Sequence, residues 1–386
     1  MHILVLVPSY FPFGVAISSR MVNFCKLFFD MGHSVHVIAL YSTEKKQKNN
    51  IYSMGCCTYQ IATNKQATAK DSFLGNMEYI KAVKTFLTKN KVDAVFLCRA
   101  EPYYKKVNRL CRKANVPLYL EQCEWMDVSS YRFRWFDYRF IRRNFLVLAG
   151  YKSSNGVIAI TRFLEKHYKK MGVPVVRIPT ILDVKNIHPG RTTCNKKVTL
   201  IYTGNPSTSK EFLAPVINVL AEDETYRKKF EFHIYGPSRE KVIENIGGNF
   251  EKLIQAGDSV VIHGYVPQQN MEKIQREADY MLFIRPHRRS SDAGFPTKLG
   301  ESMSVGTPVI SNNTGDISMY LRNGENGFIM NSGNETEVRT VLEKIQNLPK
   351  QKYYEMRIRA REMAEKSFDY RVYQDAFKTI FSLEKM

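Results

Sequence analysis

Short, uninterrupted apolar runs alternate with helical stretches along this chain, and they do so in two separate series. The first series reads "HILVLVP", "HSVHVIALY", "DAVFLCR", "VPLYLEQ" and "GVIAIT". A helix through "SRMVNFCKLFFDMG" lies between its first two runs, with Gly32 at the helix end and His33 opening the next strand. The second series reads "KVTLIYTG", "FEFHIYG", "SVVIHGYV", "DYMLFIRP", "TPVISNN" and "GFIM". Strands apolar at every position are buried on both faces, and strands that alternate with helices pair in parallel. Each series therefore predicts one parallel sheet covered by helices, a Rossmann-like domain. The polar stretch "VVRIPTILDVKNIHPGRTTCNKK", with its prolines and glycine, reads as the join. The expected organisation is residues 1–184 as a first domain, 185–365 as a second, and 366–386 as a C-terminal helix packing back on the first. Open α/β sheets bind ligands beyond the carboxyl ends of their strands, so two such sheets facing a central cleft would bind a ligand there.

At 386 residues the chain suits two cores better than one. Its formal charge of +20 predicts attraction to an anion: nucleic acid, lipid headgroups or phosphorylated substrates, unless it is merely a basic, solvated surface. The seven cysteines are odd in number and scattered apart from the Cys56–Cys57 pair, which reads as reduced thiols. The start "MHILVLVPSYFPFG" reads as a buried strand and not a signal peptide. No apolar run reaches the length of a membrane span. The expectation is a cytoplasmic protein, peripheral at most to the inner face of the cell membrane.

Three strand-to-helix turns carry candidate chemistry. In "PSYFPFGVAISSR", Gly14 permits close backbone approach and Ser18–Ser19 can cap the following helix, whose free amides suit an anion; an ordinary turn fits equally. In "YTGNPSTSKEF", Gly204 ends a strand and Lys210 stands before the next helix, in reach of a diphosphate or simply in solvent. In "GFPTKLGESMSVGTPVISN", Pro296 suits a helix's first turn, where no amide donor is needed. Lys298 and Arg285 would add charge against phosphates at that positive helix end, and Glu301 can accept both hydrogen bonds of a ribose diol. No Asp-x-Asp motif stands at a strand end to hold a metal ion.

On these stretches, together with "VIAIT…IPTILD" and "VVIHGYVP", the chain resembles the retaining GT-B glycosyltransferases of the family 4 type, which build bacterial surface polysaccharides and cell-wall glycans. The resemblance runs over almost the whole length and is most specific in "GFPTKLGESMSVGTPVI". It implies a GT-B fold, a nucleoside diphosphate sugar as donor, a glycan or lipid-linked acceptor, no cofactor and no metal. It implies Glu301 as ribose ligand, Lys210 as diphosphate ligand, and the amides around Gly294, Phe295, Pro296 and Thr297 as donor contacts. Gly14 and Val15 match the first-domain glycine loop, and Gly204, Asn205 and Tyr265 fall on the second-domain donor loops. Lys210, Arg285 and Glu124 are the candidate catalytic residues. The chain also departs from the pattern: Ala293, beside Asp292, stands where the family carries a first glutamate. Asn205 replaces an arginine, with Arg285 as substitute charge. Cys123-Glu124, near Glu121, replaces a His-acid pair. Glu124 then contacts a sugar hydroxyl or is merely a charge at a helix start.

"YRFRWFDYRFIRRNFLVL", residues 131–148, interleaves five arginines with aromatics. As one helix it suits the plane of an anionic membrane, a lipid-linked acceptor, or a half-buried core position. Nucleic acid is not expected, since no recognition module accompanies it. The expected activity is retaining hexosyl transfer in surface polysaccharide biosynthesis. The alternatives are a non-catalytic GT-B subunit supporting a partner transferase, or a sugar-nucleotide epimerase.

Overall fold

A computed structural model of the chain describes residues 1–44, 46–64, 69–98, 101, 103–130, 133–190, 197–206 and 210–382. The chain divides into two units: Met1–Asp183 with Tyr370–Met386, and Val184–Asp369.

The first unit contains β1 (His2–Tyr10), β2 (Ser34–Tyr41), β3 (Ile51–Met54) and β4 (Cys57–Ile61). It continues with β5 (Ala94–Cys98), β6 (Leu118–Gln122), β7 (Gly156–Ala159) and β8 (Val175–Arg177). These form one sheet in the order β3-β4-β2-β1-β5-β6-β7-β8, parallel except at the β3–β4 hairpin. The hairpin and β8 are not legible as continuous apolar runs. β3 alternates exposed and half-buried positions, and β8 is three partly buried residues at the sheet edge, inside the stretch that reads as linker.

The helix Ala16–Asp30 buries Met21, Phe24, Cys25, Leu27 and Phe28 against this sheet. It ends where Gly32 takes φ +80°. Ser18 does not cap it: the helix starts earlier, with Val15 at the N-cap, and the Ser18 hydroxyl donates to the Tyr10 carbonyl at 2.8 Å. The C-terminal helix Gln374–Ser382 drives Phe377 edge-on into Phe28, with centroids 4.8 Å apart, and into Phe24 at 5.6 Å. A Cβ on Gly156 would meet Ile380 Cδ1 at 2.7 Å, so the helix lies close over this strand and a larger residue would make Ile380 shift. That packing explains why the chain's last segment belongs to the first unit.

Of the segment 131–148, the described residues 133–148 do not make one helix. A 3₁₀ turn, Arg134–Phe136, precedes the helix Tyr138–Leu148, because Asp137 breaks in as N-cap and accepts the Arg139 amide at 2.9 Å.

The second unit contains β9 (Val198–Thr203), β10 (Phe230–Tyr235), β11 (Val260–Gly264), β12 (Tyr280–Phe283), β13 (Val309–Asn312) and β14 (Gly327–Met330). All are parallel, in the order β11-β10-β9-β12-β13-β14. Strand order reverses between β9 and β12, the position at which such sheets open a crevice for ligand. The helix Lys350–Ser367 is pinned behind the sheet by Arg357, which donates to the Ala278 carbonyl at 2.9 Å and to Tyr353 Oη at 3.0 Å. Tyr353 in turn donates to Asp279 at 2.9 Å.

Candidate functional site at the β9–β12 switch point

Beyond the carboxyl ends of β9 and β12 the second unit collects Gly204, Lys298, Arg285 and Glu211. Gly204 adopts φ +134°. Its neighbour Gly236 adopts φ +117°, and a Cβ there would meet the Gly204 carbonyl oxygen at 2.0 Å. The two loops can therefore lie backbone to backbone only with glycine at Gly236.

Lys298 sits directly beneath this glycine loop, its Nζ 3.2 Å from where a Gly204 Cβ would stand. The sequence places Lys298 free against phosphates, but the amine is already engaged. It is buried, donates to Glu211 Oε2 at 2.5 Å, and lies 4.1 Å from the Tyr202 ring centroid. Tyr202 donates to the same carboxylate oxygen. The reason is physical: an ammonium group removed from water requires a counter-charge. Burial lowers the Lys298 pKa from the ordinary lysine value, and Glu211 pulls the other way. Glu211 and Tyr202 went unnoticed in the sequence. The signal available was the acid directly after Lys210 and the tyrosine inside an otherwise aliphatic strand.

Arg285 follows β12 and is also buried. Its Nη2 donates to the Gly294 carbonyl at 3.0 Å, and its backbone amide to Asn312 Oδ1 at 2.8 Å. Nη1 is buried with no hydrogen-bond partner among the described residues. Burial lowers its pKa, opposed by Glu211 and Asp292. A guanidinium donor withheld from water and unpaired is a place prepared for an acceptor.

The turn Gly294–Pro296 leads into the helix Thr297–Ser304 with Pro296 at the N-cap, one residue before the helix proper. Phe295 anchors the turn in the core, edge-on to Tyr320 at 5.4 Å. The first amides of a helix have no partner within it, so Thr297 and Lys298 present donors at its positive end. Glu301, half-buried on the same helix, accepts from Gln275 Nε2 at 3.5 Å. Burial raises its carboxyl pKa, with Gln275, Lys298 and Thr297 opposing.

Lys210 is exposed, and the strand-like bridge of Phe212 to Ile284, with N···O 2.8 Å, carries its segment alongside the end of β12. Asn205 is exposed and accepts from Lys241 Nζ at 3.4 Å. Tyr265 is 83% exposed just after β11. Asp292 Oδ1 accepts the Gly315 amide at 3.1 Å, and Ala293 beside it is fully buried.

In the first unit, Gly14 takes φ +116° after β1, where a Cβ would meet Thr43 Cγ2 at 2.6 Å, and Val15 is exposed beside it. Glu124 is exposed after β6, in irregular chain and not at a helix start, so its reading as a helix-terminal charge is removed. Glu121 is a structural acid, fully buried against Arg20 with Nε–Oε1 2.6 Å. The six described cysteines, Cys25, Cys56, Cys57, Cys98, Cys111 and Cys123, are free thiols, and Cys194 lies outside the described residues. Among the described residues no three His, Cys, Asp or Glu side chains gather as a metal-holding group, and no helix is long and apolar enough to cross a membrane.

Residues 197–348 match the family model described as glycosyl transferases group 1. No curated protein sequence matches the chain significantly. Among solved structures, sucrose-phosphate synthase from Thermosynechococcus elongatus superposes with TM-score 0.73 at 13% identity, over 99% of this chain and 98% of that one. Anabaena HepE, solved in complex with UDP-glucose, gives 0.71 at 14% identity over the whole of both chains. The lipopolysaccharide outer core galactosyltransferase WaaB gives 0.63 at 15% identity, again over both whole chains. The chain has the α/β architecture of the GT-B class, and its switch point lies within the stretch that matches the group 1 glycosyl transferase model.

Proposed function

We propose that this protein is a glycosyltransferase that moves a hexosyl group from a nucleoside diphosphate sugar to a glycan or lipid-linked acceptor, with retention, in surface polysaccharide biosynthesis. The observation that carries the reading is Arg285 Nη1, buried and unpaired beside the helix Thr297–Ser304, within the stretch that matches group 1 glycosyl transferases. The diphosphate lies over the Gly204 loop, held by Arg285, Lys210 and the amides at Thr297 and Lys298. Glu301 receives the ribose hydroxyls. Lys298, clamped by Glu211, supports the loop from below. In a dry, pre-arranged site such donors stabilise the charge that grows on the leaving diphosphate, which is the work a metal ion does elsewhere. Retention then follows from front-face displacement. The acceptor oxygen bonds to the anomeric carbon as the diphosphate leaves the same face, and the acceptor proton passes to a departing phosphate oxygen. In the first unit Gly14, Val15 and Glu124 are the candidate contacts to a phosphate or a sugar hydroxyl. The protein works at the inner face of the cell membrane, bound peripherally to an anionic surface.

A second reading, a GT-B subunit that binds nucleotide without turnover, is favoured by one observation: a fully buried alanine, Ala293, stands where the family pattern carries a first glutamate. Thermal stabilisation by UDP-, GDP-, ADP- and dTDP-sugars, followed by donor hydrolysis, separates the two. A binding enzyme hydrolyses its preferred donor slowly without acceptor, while a supporting subunit only binds. Glu301→Gln should weaken nucleotide binding by about 1.5–3 kcal/mol, the range of a charge-assisted hydrogen bond. No stabilisation by any nucleotide, or unchanged affinity in a folded E301Q, removes the donor site.

A further inference from the structure

The helix Tyr104–Ala114 of the first unit borders a cavity of about 520 Å³ that none of the residues above uses. Lys105, Arg109, Arg112 and Lys113 line it, with Asn108 and Ser153 among them. Among the described residues no carboxylate lines it, and none of these four cations is paired with an acid. Ser153 Oγ lies 2.6 Å from Tyr104 Oη and accepts from Asn108 Nδ2 at 3.1 Å, so hydroxyls and an amide accompany the cations. Cations in a last helical turn answer the helix dipole, which accounts for Arg112 and Lys113 but not for Lys105 or Arg109 in the turns before.

The opposite wall brings in Leu146 of the helix Tyr138–Leu148. The basic aromatic segment has five arginines, and the three on that helix are paired. Arg142 and Arg143 both bind Glu101, and Arg139 binds Asp137. Arg132 lies outside the described residues. Its rings are the reverse: Phe136 is 90% exposed, Tyr138 68% and Trp135 66%, with Phe145 at 55%. Lys105 Nζ stands 5.7 Å from the Phe145 centroid, so that ring adjoins the basic cavity, and Tyr138 lies two turns before Phe145 on the same helix. Exposed rings bordering unpaired cations match the two layers of an anionic bilayer surface, acyl boundary beside phosphate.

We propose that this cavity is the headgroup site for an anionic membrane lipid. Lys105, Arg109, Arg112 and Lys113 hold its phosphate while Trp135, Phe136, Tyr138 and Phe145 enter the acyl boundary. The site rests on the reading that the protein works at an anionic membrane, and it moves the source of attraction from the paired arginines to the neighbouring helix.

The test is co-sedimentation of the full chain with phosphatidylglycerol-containing and purely phosphatidylcholine vesicles. Wild type should favour the anionic vesicles. Arg109→Gln/Arg112→Gln/Lys113→Gln, all exposed and so compatible with folding, should bind them about a hundredfold less, since each cation near such a surface contributes a several-fold gain. Salt should reproduce that loss, whereas Trp135→Ser/Phe136→Ser should bind less at every salt concentration. Unchanged melting of the variants confirms that they fold. Wild type that ignores both vesicle types overturns this site and the membrane reading together. Undiminished binding by the triple variant overturns the cavity alone. Binding of inorganic phosphate or duplex DNA through these cations, without vesicle binding, assigns the cavity to a soluble anion and overturns the lipid.

Discussion

Glu211 is the residue on which the switch point depends, although it touches no ligand in the proposed site. It accepts from Lys298 and from Tyr202, and it sits next to Lys210, so one carboxylate joins the loop after β9 to the helix Thr297–Ser304. Removing one partner of a buried pair leaves the other charge uncompensated, at about 3–5 kcal/mol. Glu211→Gln should therefore destabilise the second unit by that order, and the deficit should depend on pH. The folded-state pKa of Lys298 is already lowered by burial. Between that pKa and the ordinary lysine value the unfolded chain binds more protons, so stability rises with pH there. Without Glu211 to hold the proton, that window extends to lower pH. Urea midpoints for E211Q should thus lie closer to wild type at pH 9 than at pH 7, and E211Q/K298M should recover most of the loss. Equal deficits at both pH values would refute the charge argument.

At the scale of elements, the helix Glu335–Gln346 shows how a single turn secures the edge of the sheet. Asn334 accepts the Glu337 amide at 2.9 Å, and the Glu337 carboxylate accepts the amides of Asn331 at 3.0 Å, Ser332 at 2.9 Å and Gly333 at 2.7 Å. This reciprocal cap ties the helix to the end of β14. Burial pushes the Glu337 carboxyl up, but the Ser332 hydroxyl and the three amides outweigh it and bring the pKa down to about 2. The folded pKa is depressed, so the contribution is complete above the usual glutamate value and is lost as pH falls through about 2. Glu337→Gln should cost about 1–2 kcal/mol at neutral pH, a figure taken from helix caps because the carboxylate is partly open to solvent. Denaturation midpoints of wild type and E337Q should converge as the pH is lowered from 6 towards 2. A gap that stays constant would mean the carboxylate charge is not what the cap uses.

At the scale of the whole molecule, each unit has its own sheet and core, and the chain returns to the first unit for its last helix. Phe377 is fully buried among Phe24, Phe28 and Phe96. Truncating a buried phenylalanine to alanine costs about 3–5 kcal/mol. Phe377→Ala should therefore lower the unfolding transition of the first unit and leave stabilisation of the second by nucleotide in place. Calorimetry with and without the nucleotide sugar selected by the thermal panel reads both. Loss of nucleotide binding in a still-folded F377A would show that the two cores are not independent in this way.

The two parallel sheets were readable because a strand buried on both faces must be apolar at every position, and ten or so such runs leave few alternatives to a doubled Rossmann-like plan. The glycine turn at Gly204 and the Pro296 turn were readable for a similar reason: backbone geometry is a local property, and Gly204 takes φ +134°, a conformation that favours glycine. The β3–β4 hairpin was not, because its period-two pattern is too short to stand out from a loop. Nor was the state of the charges. Lys298 and Arg285 look alike in sequence, two cations near one helix start. Only tertiary packing decided that Glu211 neutralises the first while Nη1 of the second stays buried and unpaired. Arg142 and Arg143 and the cations of Tyr104–Ala114 divide in the same way, since Glu101 reaches the first two from some forty residues away in the chain. A residue's type determines that it carries charge, but which charge is left to meet a ligand depends on neighbours far away in sequence, which only the fold brings into contact.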